Sequence, residues 1–180
     1  MTTATTLAAL RKGQEAWRIE VLLGPNMKHL GKRDPRLFGA ASYEDVVAEV
    51  ERFAAALGVT ASVFASDYEG ELLQRVHAKA ATADGYLVEP GGAATTAQGW
   101  THALAETKKP VVEVNFYNLT ARGEISLFTP SAIGRSMGLR QHSLVAALIG
   151  LVLSLDDTTF LNPREQSPIS RSGGAPYVRG

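Results

Sequence analysis

Short apolar, β-branched runs alternate with helical stretches along this chain, and that alternation limits the fold more than any other feature. The runs are Ile19–Leu23, Val59–Ala65, Gly85–Val88 and Val111–Phe116, with a weaker one at Ile125–Phe128. After the first run, Tyr43, Val46, Val47, Val50, Phe53, Ala54 and Leu57 recur at the spacing of one helical face. Ser42 stands where an N-cap belongs, Glu44 and Asp45 put acids in the first turn, and Gly58 sits where a helix closes. Further helices are expected around Leu72, Leu73, Val76 and Ala80, from Thr96 to Thr107, and from a start between Ser136 and Gln141 as far as Leu155. Alternation at this spacing implies parallel strands joined by right-handed crossovers, with helices on both faces. The expected fold is α/β, a flavodoxin-like three-layer sandwich with a central parallel sheet.

A length of 180 residues, 45% of them apolar, suits one domain. Its expected bounds are 17–155, preceded by a surface arm or short helix over 1–16 and followed by a polar tail over 156–180. The 18 basic and 18 acidic residues cancel, so no global field favours nucleic acid or an anionic membrane. The most apolar window, Ser143–Leu155, is shorter than the roughly 20 residues a spanning helix needs. The N-terminus lacks the pattern of a secretory signal, which leaves the cytoplasm by elimination. Without cysteine there is no thiolate chemistry, and His29, His77, His102 and His142 form no helical ligand pair, so no metal site is expected. Gly91-Gly92 falls short of a dinucleotide fingerprint and Gly31-Lys32 of a phosphate loop, so no cofactor is expected either.

The first strand empties into Leu22–Gly39, a basic loop punctuated by glycine and proline. In an open parallel sheet, ligands bind beyond the carboxyl ends of the strands, which makes this loop the first place to look for chemistry. Gly24, Pro25, Asn26, Leu30, Gly31, Arg33, Pro35 and Gly39 resemble the N-G-P-N-x-x-x-L-G-x-R-x-P-x-x-Y-G opening motif of the type II 3-dehydroquinate dehydratases. The likeness continues through Ser66–Leu72, through Pro90-Gly91-Gly92 with Thr95-Thr96, and through Pro110–Val114 with Asn118 and Ala121-Arg122. It covers roughly residues 18 to 150 in matching order.

That family's dehydration is an anti elimination through an enolate. A tyrosinate on the mobile first loop takes the proton, an arginine keeps it ionised, and a histidine oriented by a nearby glutamate protonates the departing hydroxyl. The resemblance carries over Asn26, Arg33, Glu113 and Arg122, with Arg122 the expected grip on a substrate carboxylate. It also places Phe38 at the position of the tyrosine and Asn115 at that of the histidine; a phenyl ring exchanges no proton and an amide is a poor acid. Leu23 and Glu89 stand where the family has asparagines, Tyr117 where it has serine, Thr95 where it has histidine and His102 where it has aspartate.

Glu89 is the candidate replacement base, because a half-buried carboxylate binds its proton more tightly; its alternative is a fixed ion pair with Arg33 or Arg122. The catalytic set expected is Arg33, Glu89, Glu113 and Asn115, with Glu113 polarising Asn115. Asn26, Gly91, Gly92, Tyr117, Asn118 and Arg122 are expected to bind substrate, Tyr117 as a donor or a packed aromatic. The function implied is a lyase repurposed for dehydration, hydration or isomerisation of a small cyclic or keto-carboxylic acid, needing no cofactor or metal. The alternative is a non-catalytic ligand-binding or assembly protein that keeps the anion pocket. The resemblance further implies a homo-oligomer, a trimer or dodecamer.

Overall fold

The computed structural model describes residues 6–160. Its centre is a five-stranded, all-parallel sheet of β1 (Arg18–Leu23), β2 (Thr60–Ala65), β3 (Gly85–Glu89), β4 (Val111–Asn115) and β5 (Gly134–Met137), in the order β2-β1-β3-β4-β5. The helices are α1 (Pro35–Phe38), α2 (Tyr43–Ala56), α3 (Glu69–Lys79), α4 (Gln98–Glu106) and α5 (His142–Asp156).

Side chains alternate across a strand, so β1 feeds two cores. Ile19, Val21 and Leu23 pack with α2 and α5 on one face, through Val46, Val50, Leu144, Leu148 and Leu151. Leu22 packs on the other face with Leu72 and Val76 of α3 and Trp100 and Leu104 of α4. Helices therefore cover both faces, as the sequence implied. Ser42 caps α2 in a capping box with Asp45, and Gly58 follows its C-cap at φ 71°, as its position predicted.

The sequence reading fails around the fifth strand. Residues 125–128 form no strand; Phe128 is apolar because it packs edge-on against Trp100, with ring centroids 5.0 Å apart. The true β5 is a short edge strand of Gly-Arg-Ser-Met, too polar to stand out. The last helix also begins later than expected. Ser136 and Met137 belong to β5, and Gly138 and Arg140 take φ 85° and 55°, outside helical space.

The long loop after β1 holds a three-residue 3-10 turn, Met27–His29, and then α1. Asp34 caps α1 by accepting from the Arg36 amide, and Pro35 stands at its first position, where a missing N–H costs nothing. Ahead of β1, Leu7–Leu10 form a single 3-10 turn, and Arg11 then clasps Asp156 at the end of α5 through two bonds of 2.8 Å. Residues 1–5, and the tail from 161 onward, lie outside the described residues.

Candidate active site

The order β2-β1-β3 means that successive connections leave β1 in opposite directions, which opens a crevice between the loops after β1 and β3. These loops approach closely. The Gly24 amide donates to the Glu89 carbonyl at 2.7 Å, and a Cβ on Gly24 or Gly91 would collide with the carbonyl of Pro90 or Pro25 respectively. Gly91 takes φ 57° in this junction, so glycine is required there on two counts.

Beside the junction is a cavity of about 250 Å³ lined by Arg33, Leu37, Phe38, Gly91, Gly92, Tyr117 and Arg122. A larger hollow of about 610 Å³ lies around Lys109, Pro110 and Ile133, at the amino ends of β4 and β5. We assign the site to the smaller cavity, because it lies where parallel sheets bind ligands and brings two guanidinium groups together.

Arg33 and Arg122 come from different loops. The Arg33 guanidinium lies 3.4 Å from the centroid of Phe38, a stacking that favours a partly desolvated cation. Burial pushes the Arg33 pKa down, against the opposing pull of Glu89 and Tyr117. Phe38 meets Tyr117 edge-on with centroids 5.9 Å apart, and Arg122 lies over the Tyr117 ring at 4.9 Å. Tyr117 is thus a packed aromatic whose hydroxyl donates to Glu124 at 3.1 Å. Burial raises the Tyr117 pKa, and Glu124 adds to the shift.

Glu89 closes β3 and is 1% exposed. It was expected half-buried, but β3 is the central strand and the glycine junction covers its end. No ion pair within 4.0 Å joins it to Arg33 or Arg122 among the described residues, and its Oε2 lacks a hydrogen-bond partner there. Burial raises its pKa well above the ordinary 4.5 and the charge of Glu113 adds to this; the Gly91 amide, Arg33 and the Phe116 amide oppose it. Glu89 is therefore a buried carboxyl whose affinity for a proton is raised.

Glu113 and Asn115 sit at the end of β4, both fully buried. Asn115 Nδ2 donates to Glu113 Oε1 at 2.9 Å, and Thr129 Oγ1 donates to Oε2 at 2.6 Å. Arg135 of β5 completes the charge balance at 3.7 Å from Oε2. Because Glu113 accepts from the Asn115 amino group, the Asn115 carbonyl oxygen faces away from it. Neither residue lines the cavity.

Asn26 takes a left-handed φ of 71°, its amide donates to Asp67 at 2.7 Å, and its side-chain nitrogen would lie 3.4 Å from a Cβ on Gly92. Asn118 is exposed and its side chain accepts from the Ala121 amide, so it braces the turn that presents Arg122. Five expected residues therefore share the cavity wall: Arg33, Gly91, Gly92, Tyr117 and Arg122. Glu89, Glu113 and Asn115 lie outside the lining, and Asn26 and Asn118 act from its margin. Leu37 and Glu124 were missed, since neither carries a motif. His29, Lys28, Thr95 and His102 are exposed, and Tyr43 packs against the α2 side of the core.

An α/β protein of flavodoxin-like strand order, with a small cationic pocket at the switch point between β1 and β3, is the class that fold and site define. Within that class the chain belongs to the dehydroquinase class II family, whose model matches residues 17–152. It is 36% identical over 133 residues to a 3-dehydroquinate dehydratase of Mycobacterium tuberculosis, covering 72% of this chain and 90% of that one. It is 32% identical over 138 residues to a 3-dehydroquinate dehydratase of Halothermothrix orenii, covering 75% and 93%. The crystal structure of a type II dehydroquinase from Propionibacterium acnes superposes with a TM-score of 0.73 at 25% identity, over 78% of this chain and 99% of that one. The family resemblance expected from the motifs is thus met.

Proposed function

We propose that this chain is a lyase of the type II dehydroquinase kind with an altered catalytic set, acting beside the carbonyl of a small cyclic or keto-carboxylic acid. One observation carries the reading: Arg33 and Arg122, from separate loops, line the same cavity of about 250 Å³. Paired guanidinium groups suit a substrate carboxylate and the enolate oxygen that forms when a base removes the neighbouring proton. In the step proposed, the Glu89 carboxylate takes that proton, and the enolate then expels hydroxide, which the protonated Glu89 converts to water.

Glu89 suits both transfers because burial raises its affinity for a proton, and since it stands behind Gly91 rather than in the lining, a ligand must reach it past that glycine. Glu113 orients Asn115, and Asn26 stands over Gly92 at the margin. In support of a homo-oligomer, the resemblance is joined by Ile125, 85% exposed and next in sequence to Glu124.

One observation favours the second reading, a non-catalytic binder of small carboxylates: the cavity lining holds no carboxylate and no imidazole. Incubating the protein with 3-dehydroquinate while following the conjugated enone absorbance separates the two. Turnover that falls by at least about 100-fold in Glu89→Gln supports the altered lyase. Binding without turnover, equal in parent and variant, supports the binder.

A further inference from the structure

Glu124 belongs to none of the motifs, yet its carboxylate bonds to two side chains of the pocket's lining. Its Oε1 accepts from Arg122 Nε at 2.8 Å and its Oε2 accepts from the Tyr117 hydroxyl at 3.1 Å. One carboxylate therefore holds two walls of the cavity together, and Arg122 is kept over the Tyr117 ring. The bond consumes Nε only. The terminal nitrogens of Arg122 remain for a ligand, in a fixed plane suited to two parallel hydrogen bonds.

The same contact sets the charge. Among the side chains that line the cavity or bond to a lining side chain, Arg33 and Arg122 are cations and Glu124 is an anion, which leaves one net positive charge on the wall. Below them, Glu113 is balanced by Arg135 at 3.7 Å and contributes little. We propose that Glu124 is a positioning and charge-selecting residue: it aims Arg122 at a ligand carboxylate and lets the pocket favour acids with one negative charge over those with two. The inference rests on the pocket reading above.

Two measurements test it. In the first, calorimetry follows cyclohexanecarboxylate and trans-1,2-cyclohexanedicarboxylate in mildly alkaline buffer, where both are fully ionised. The parent is expected to prefer the singly charged acid. Glu124→Gln keeps an acceptor for Arg122 Nε and removes the charge, so it should raise the relative affinity for the doubly charged acid by about ten-fold. Glu124→Ala removes the acceptor as well and should weaken both acids.

The second measurement needs no ligand: the Arg122 Nε–H cross-peak in a nitrogen–proton correlation spectrum, assigned by its loss in Arg122→Lys. It should persist in the parent and in Glu124→Gln and be lost to solvent exchange in Glu124→Ala. A charge preference unchanged by Glu124→Gln overturns charge selection, and a cross-peak that survives Glu124→Ala overturns positioning. Failure of both acids to bind the parent sinks the pocket reading, and charge selection with it, while the cross-peak still decides positioning.

Discussion

Glu89 is the residue whose environment departs furthest from what a carboxylate prefers, and its behaviour follows from that. The folded-state pKa is raised, so between 4.5 and that higher value the folded chain holds a proton that the unfolded chain has lost. Stability is therefore fully present below pH 4.5 and declines as pH rises through this window. Glu89→Gln removes the titration while keeping the shape. It should be more stable than the parent in alkaline buffer, and the gap should close toward pH 4.5. Urea unfolding at several pH values checks this; a gap that does not change with pH would mean that the fold does not raise the affinity of Glu89 for a proton. Phe38 and Asn115 allow a complementary trial. Phe38 is stacked under Arg33, and Asn115 is bonded to Glu113, so a hydroxyl and an imidazole placed there would each meet a partner suited to proton transfer. The double variant Phe38→Tyr with Asn115→His should raise enone formation from 3-dehydroquinate by at least about 100-fold over the parent.

Individual elements were legible where a repeated pattern specified them. The apolar face of α2, its capping box and Gly58 agree with one another, and β1, β3 and β4 are buried runs too apolar for loops. Such agreement between local signals is what makes an element readable. β5 carries no such signal, because an edge strand needs no apolar side chains on its open flank. The two arginines of the site were readable through their motifs, whereas the burial of Glu89 and the hold of Glu124 on Arg122 depend on how loops meet in space. The same holds for the clasp between the N-terminal arm and α5. Arg11 and Asp156 are separated by nearly the whole chain, yet their side chains are only 4% and 1% exposed, and Trp17 adds a third bond to Asp156 at 2.8 Å. Arg11 also donates to the Leu57 carbonyl at the end of α2, so it ties three elements together. The Arg11 hydrogen bonds are the main reason that the Asp156 pKa falls from 3.8 to about 2. The stabilisation is complete above pH 3.8 and is lost as pH falls through about 2. Arg11→Ala leaves a buried carboxylate without its cation, held only by Trp17 and the Gly13 amide, and should cost about 3 kcal/mol at neutral pH. Thermal unfolding of the variant should also show a shallower loss of stability between pH 4 and pH 2, since the largest cause of the lowered pKa is gone.

Across the whole molecule, equal numbers of acidic and basic residues leave no net field to draw a ligand in, so the pocket must attract an anion through its own arginines. That pocket is open on one side. Arg122 is half-exposed, and the loop beside it presents Ile125 at 85% exposure, with Leu127 at 38% and, beyond β5, Leu139 at 55%. Exposed apolar side chains form a surface that a second copy of the chain can cover, and homo-oligomers are the commonest assemblies of soluble proteins. Covering Ile125 would also screen the Arg122–Glu124 pair from water and strengthen its hold, because an ion pair gains as the surrounding dielectric falls. Light scattering on the full chain should therefore give a mass that is a multiple of 19.2 kDa. Ile125→Glu should lower that mass toward a single chain and weaken carboxylate binding by about ten-fold, whereas a chain ending at Asp156 should still associate. A parent protein that scatters at 19.2 kDa at every concentration would place the exposed rim outside any assembly, and would leave the pocket complete within one chain.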